Sequence, residues 1–329
     1  MTTFLATLTP MLTLFLCIGI GFVFSKCNIL PEGSSKVLAK TETWIFCPAL
    51  SFMTMARFCT VDSIGEHFVN LILSVIGVIF AVAMAILLTR FFVRDKSSSD
   101  WGVYAYALAF ANSGYMGDPI VLALFGEEAL SYYKLFGLPI QLMIYSWGIG
   151  VMTPKGEKGG FLRRMINAPT VSMLVGVAVG LSGLGKYLPE FIVGALDALK
   201  ACMGPVAMLL AGVTIAKYDF LSMLKKKKVY VATVLRLVVL PSLIIALLFG
   251  LKTLANAAWN LSIGNDALFL TFFATATPLG LNTVVFPEAY GGNPETGASM
   301  TMISHTLCVL SIPVMYALMV ALFGAPFMG

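Results

Sequence analysis

The sequence predicts an all-α membrane protein of about ten transmembrane helices, built as two inverted five-helix repeats with broken, crossing helices four and nine. Three observations carry that prediction. Hydrophobic residues make up 59% of the 329-residue chain and charged residues 11%, with a mean hydropathy of +0.91, whereas a soluble domain carries about a quarter charged residues. Stretches such as 71–88 hold no ionisable side chain, and in lipid they satisfy their backbone only as helices. Two apolar stretches at matching places in the two halves carry helix breakers at mid-depth. They read Ala111-Asn112-Ser113-Gly114-Tyr115-Met116-Gly117-Asp118-Pro119 and Ala276-Thr277-Pro278-Leu279-Gly280-Leu281-Asn282-Thr283, with Pro287 closing the second.

Apolar windows of roughly 20 residues place the spans at about 5–25, 36–56, 67–92, 101–125, 130–152, 168–184, 190–215, 229–253, 267–287 and 297–323. No positive charge precedes the first apolar run, and Lys26 follows it directly, so an uncleaved first helix starting outside the cell is expected. Span two carries Glu42 one turn before Pro48, span five carries Gln141, and span seven carries Asp197 and Lys200 as an i,i+3 pair. Ionisable or strongly polar groups inside lipid are candidates for function; Glu42, Asp197 and Lys200 read equally well as headgroup-level residues. Arg236 in span eight reads as a snorkelling interface residue. His305 in span ten reads as a satisfied core histidine, and His67 as a loop residue. The six cysteines show no CxxC and no ligand spacing, so they read as packing residues and no metal site or cofactor is expected.

Positive charge orients the bundle. Loops one, three, five and seven hold Lys26, Lys36 and Lys40; Arg90, Arg94 and Lys96; Lys155, Lys158, Arg163 and Arg164; and Lys217 with Lys225 to Lys228. The even loops and nearby helix ends hold Arg57, Lys134, Lys186, Lys200 and Lys252. The odd loops are therefore expected in the cytoplasm of a multi-pass plasma membrane protein, with both termini outside. The run Lys225 to Lys228 reads as a topology signal with affinity for anionic lipid, not as a nucleic-acid site.

Four landmarks recur in order. Pro10 and Pro169, Pro31 and Pro189, Pro48 and Pro205, and Gly126 and Gly291 are separated by 159, 158, 157 and 165 residues by subtraction. The expected repeats are 1–155 and 156–329. Five spans is an odd number, so the second repeat enters the membrane upside down.

Each break leaves a second half-helix whose free N–H groups carry about half a positive charge, so an anion is the natural guest where the two meet. The first halves bring carbonyl-rich ends that suit a cation. Asn112 and Asn282 can donate to and accept from a ligand, and also read as structural glue between helices. The expected substrate-binding residues are Asn112, Ser113, Gly114, Pro119, Thr277, Pro278, Asn282 and Thr283. Asp118 before Pro119 reads as an Ncap–N1 pair or as a proton- or cation-coupling group, and Thr277-Pro278 is a second such pair. Glu42, Gln141, Asp197 and Lys200 complete the coupling candidates.

These residues carry a family resemblance. Asn112 to Pro119 followed by Leu124-Phe125-Gly126-Glu127 resembles the first crossover motif of the auxin efflux carriers. Pro278 to Thr283 followed by Tyr290-Gly291-Gly292-Asn293-Pro294-Glu295 resembles the second, and Asn167-Ala168-Pro169 also looks like that family. The resemblance spans essentially the whole chain. It implies a fold related to the bile acid–sodium symporters and sodium–proton antiporters, with a scaffold of spans one, two, six and seven beside a transport bundle of the rest. It implies organic anion substrates, auxin in plants and malate- or malonate-like dicarboxylates in bacteria. Asn112, Pro119, Pro278 and Asn282 then become the crossover and carboxylate-binding residues. The short 155–164 loop is unlike the long loop of plant members and matches a compact bacterial type. Asp118 stands where the family often has an apolar residue, which leaves a proton-linked or monoanionic substrate open.

The expected activity is secondary transport of a small organic anion by alternating access, with a proton or sodium as the candidate coupling ion. Related scaffolds often pair, so a homodimer is the candidate assembly. A passive channel or a sensor on the same scaffold is the alternative. The sequence holds no nucleotide-binding loop, so direct use of ATP is not expected, and an intramembrane enzyme is not expected because the two histidines are isolated and Asp118 has no second carboxylate at matching depth.

Overall fold

The computed structural model describes residues 2–66, 68–95, 98–153, 166–260, 263–290 and 292–324. His67, Lys96, Lys155, Lys158, Arg163, Arg164, Gly291 and the boundary between 155 and 156 lie outside them. Among the described residues the regular structure is helical, and Ala111 and Leu279 form an isolated antiparallel bridge.

The longer helices run α1 (Thr2–Lys26), α2 (34–58), α3 (Phe68–Thr89), α4 (Ser99–Ala109), α5 (113–136), α6 (Leu138–Met152), α7 (Ala168–Leu181), α8 (Glu190–Ala216), α9 (Lys227–Ala258), α10 (Asn265–Ala276), α11 (Asn282–Tyr290) and α12 (Pro294–Phe323). Of these, α3, α8, α9 and α12 are long and apolar enough to cross a bilayer. Their surfaces are apolar as well as their cores. On α12, Leu307, Leu310, Val314, Leu318 and Leu322 are exposed along one helical stripe, while Ser304, Cys308, Ile312, Met315 and Met319 are buried on the other. A helix that keeps its polar groups inside and its leucines outside is solvated by lipid, not water.

Proline accounts for three of the four π turns among the described residues, the exception being Ile144–Gly148. Five-residue π turns at Glu42–Phe46, Ser113–Gly117 and Leu235–Val239 each end two residues before a proline, Pro48, Pro119 and Pro241. A proline inside a helix clashes with the carbonyl four residues back, and one widened turn moves that carbonyl aside. Gly126, with a left-handed φ of 84°, bends α5 where the predicted span four ends.

α1 lies along α8, and α2 lies along α7 and α8; α3 packs on α4 and α6, while α12 packs on α9 and α11. Two glycines show how close the first set is. A Cβ on Gly212 of α8 would stand 2.0 Å from the Ile18 carbonyl oxygen of α1, and one on Gly180 of α7 would stand 2.5 Å from the Cys59 carbonyl oxygen at the end of α2. Backbones this near touch through small residues.

Candidate functional site

Both expected interruptions are present, and they pair. α4 ends at Ala109 and α10 at Ala276. Phe110 is extended (φ −115°, ψ 129°), as is Thr277 (φ −65°, ψ 159°), the backbone region preferred before a proline. The Asn112 amide donates to the Pro278 carbonyl at 2.7 Å, and the Gly280 amide donates to the Phe110 carbonyl at 3.2 Å. Backbone groups released from a helix inside a low-dielectric core need partners; here each break supplies them to the other.

Three sequence expectations at the breaks themselves need correction. Asp118 does not cap the half-helix: the helical turn begins at Ser113, so Asp118 sits inside it with helical dihedrals, and its carboxylate pairs with Lys134. Thr277-Pro278 is not an Ncap–N1 pair, because Thr277 is the C-cap of α10 and α11 starts at Asn282. Pro287 does not close the second segment but lies within α11. Its missing N–H would have met the Thr283 carbonyl, and Gly297 of α12 packs against that carbonyl instead.

Beside the paired breaks lies a cavity of about 590 Å³, between α1, α2 and α8 on one wall and α5 and α6 on the other. Asn112, Ser113, Gly114, Gly280 and Asn282 contribute to its lining. Ser113 and Gly114 belong to the first turn of α5, whose N–H groups have no intrahelical acceptor. The second half-helix is less open: the amides of Thr283, Val284 and Val285 donate to the carbonyls of Gly280 and Leu281.

Arg57, Lys134, Lys200 and Asp118 also line the cavity. Lys134 pairs with Asp118, while Asp197 takes both Arg57 at 2.5 Å and Lys200 at 3.1 Å. Three cations thus share two carboxylates around one chamber, an excess that favours an anionic guest.

Asn112 is held by His305, which the sequence reads as a satisfied core histidine, and Asn282 by Tyr106, which the sequence did not single out. Asn112 Nδ2 lies 3.1 Å from His305 Nε2, and His305 Nδ1 lies 2.9 Å from the Thr301 carbonyl. A carbonyl only accepts, so the neutral ring carries its proton on Nδ1 and Nε2 accepts from Asn112. Asn282 Nδ2 donates to the Tyr106 hydroxyl at 2.9 Å. The Oδ1 atoms of both asparagines are buried without a partner among the described residues. Each Nδ2 thus spends one of its two N–H donors on the protein, while each Oδ1 acceptor stays unmatched.

The remaining candidates divide between the cavity and its surroundings. Gln141 and Lys200 line the cavity, and Asp197 stands behind Lys200 as its partner. Thr277, Pro278 and Thr283 are not among the lining residues; Pro278 acts through its carbonyl, and Thr283 Oγ1 donates to the Gly280 carbonyl at 2.9 Å. Pro119 holds its place near the start of α5. Glu42 is buried in the π turn of α2, away from the lining. Arg236 does not snorkel: it is 1% exposed and turned into the protein, because the π turn that Pro241 imposes aims it at carbonyls of α4 and α10.

The far ends of the same helices are tied together. Glu288 of α11 accepts from Lys217 at 2.7 Å, from Ser35 of α2 at 3.2 Å and from Thr214 of α8 at 3.4 Å. Ser35 and Arg57 lie at opposite ends of α2, roughly 33 Å apart at the helical rise. The cation-lined chamber and the Glu288 cluster therefore sit toward opposite ends of α2.

The model of the membrane transport protein family matches residues 6–161 and again 159–316. An uncharacterized transporter from Methanocaldococcus jannaschii is 22% identical over 210 residues, 62% of this chain and 68% of the relative. A second uncharacterized transporter, from Methanothermobacter thermautotrophicus, is 24% identical over 214 residues, 64% of this chain and 69% of the relative. With matches over both halves and apolar membrane-length helices, this integral membrane protein belongs to the membrane transport protein family, the family of the auxin efflux carriers.

Proposed function

We propose that the protein is a secondary transporter of small organic anions, working by alternating access around the paired breaks. The observation that carries this is the chamber itself: two joined helix interruptions on one side, and three cations sharing two carboxylates around it. The free amides of Ser113 and Gly114, with the cation excess, favour a carboxylate.

The orphaned Oδ1 atoms of Asn112 and Asn282 sharpen the substrate class, since a buried acceptor favours a guest that brings a donor. A hydroxylated dicarboxylate of the malate kind, or a malonate-like acid carrying one proton, supplies both charge and donor. A fully ionised dianion without a hydroxyl fits less well.

In this reading the ten spans form two inverted repeats, 1–155 and 156–329. The twofold logic of the packing supports it: α1 against α8 corresponds to α7 against α2, which is span one on seven and span six on two. Those four make the static scaffold. By the positive-inside rule the Glu288 end, with Lys36, Lys217 and Lys225 to Lys228 nearby in sequence, faces the cytoplasm. The chamber then opens outward while Glu288 locks the inner side.

Counterflow in proteoliposomes tests the reading. Vesicles preloaded with unlabelled malate or malonate should accumulate the labelled acid, because alternating access exchanges substrate across the membrane. Equilibration without trans-stimulation would replace the carrier with a passive channel.

A further inference from the structure

Arg236 has one of the largest fully buried side chains among the described residues, with 1% exposure. Its Nη1 donates to the Leu108 carbonyl at 3.3 Å, and its Nη2 donates to the carbonyls of Thr275 at 2.6 Å and Thr277 at 3.3 Å. Leu108 lies in the last turn of α4, Thr275 in the last turn of α10, and Thr277 is the C-cap of α10. One guanidinium on a third helix thus collects the C-terminal carbonyls of both interrupted helices. Among the described residues it forms no ion pair with a carboxylate, and its Nε has no partner.

The last carbonyls of a helix have no intrahelical donor, and together they carry about half a negative charge. Two such ends facing each other in a dry core repel, and something positive has to stand between them. In transporters with discontinuous helices, unwound carbonyls and half-helix C-termini are where a coupling cation binds. Here the planar guanidinium fork already reaches both ends at once, as a compact ammonium cannot.

We propose that Arg236 is the built-in cation of this junction, a positioning residue that neutralises and holds together the C-terminal ends of α4 and α10, so that this place takes no sodium ion. The proposal concerns the junction alone and does not depend on which anion occupies the chamber or on whether the protein carries it.

The experiment is a thermal-shift titration of the purified full-length protein with sodium, potassium and choline chlorides at matched ionic strength. Wild-type protein should melt at the same temperature in all three salts. Saturable stabilisation by sodium alone would overturn the proposal. Arg236→Ala opens a carbonyl-lined vacancy, so its melting temperature should fall by several degrees and be raised again by ethylguanidinium at concentrations that leave the wild type unchanged. Arg236→Lys should fall between the two. An Arg236→Ala protein that melts like wild type, or that folds but gains nothing from ethylguanidinium, would also sink the idea. Should Arg236→Ala not fold, the wild-type salt series and the Arg236→Lys protein still decide the matter. Failure of counterflow leaves these melting curves unaffected, so the two conclusions fall separately.

Discussion

His305 on α12 holds the side-chain amide of Asn112 at the first break, Nε2 to Nδ2 at 3.1 Å. With Nδ1 committed to the Thr301 carbonyl, the ring presents one acceptor to the asparagine. His305→Ala leaves a buried amide donor unmet, which costs about 1–3 kcal/mol. If that cost falls on the bound state, affinity drops roughly 5- to 150-fold. His305→Gln can offer an amide oxygen and should recover most of the loss. Isothermal titration with the carboxylate that best stabilises the purified protein measures this; equal affinity in wild type and His305→Ala would remove His305 from the site.

Asn112→Ala and Asn282→Ala should each abolish carboxylate counterflow while leaving expression intact. Both side chains line the chamber, yet the main chain, not the side chain, joins the breaks. Normal flux in both variants would disprove the assigned site.

The helix interruptions were legible because proline and glycine act locally: Pro119, Pro278 and Gly280 change what their own backbone can do. That the two interruptions meet was expected from the repeat, but the peptide hydrogen bonds that join them were not, since the Asn112–Pro278 bond links residues far apart in sequence. Asp118 shows the same limit. Its place before Pro119 reads as a cap, and only the fold brings Lys134, sixteen residues later, onto its carboxylate. Arg236 was misplaced because a lone arginine in an apolar run looks like a headgroup anchor until its π turn aims it inward. Tyr106 did leave a trace: a phenol in mid-span needs a partner, and Asn282 provides it.

Removing the Glu288 carboxylate should shift the conformational balance. Glu288→Gln breaks the Lys217 ion pair and weakens the contacts to Ser35 and Thr214. Spin labels at Lys40 on α2 and Lys227 on α9, in a cysteine-free background, should then report a second, longer distance population. A single distance unchanged from the parent would rule out a lock at this cluster.

Gly212→Leu tests the close seam between α1 and α8. Even the first carbon of the new side chain would stand 2.0 Å from the Ile18 carbonyl oxygen. Overpacking costs about 1–3 kcal/mol in adaptable cores, and a backbone obstacle places this substitution at or above the top of that range. A clear fall in melting temperature in detergent is expected, and wild-type stability would refute the seam.

The bridge between Ala111 and Leu279 is made of peptide groups, which every residue carries. Its persistence therefore asks little of the letters around it. Such a chain can drift toward a new cargo by exchanging the few side chains that face the guest, while the frame presenting them is inherited intact.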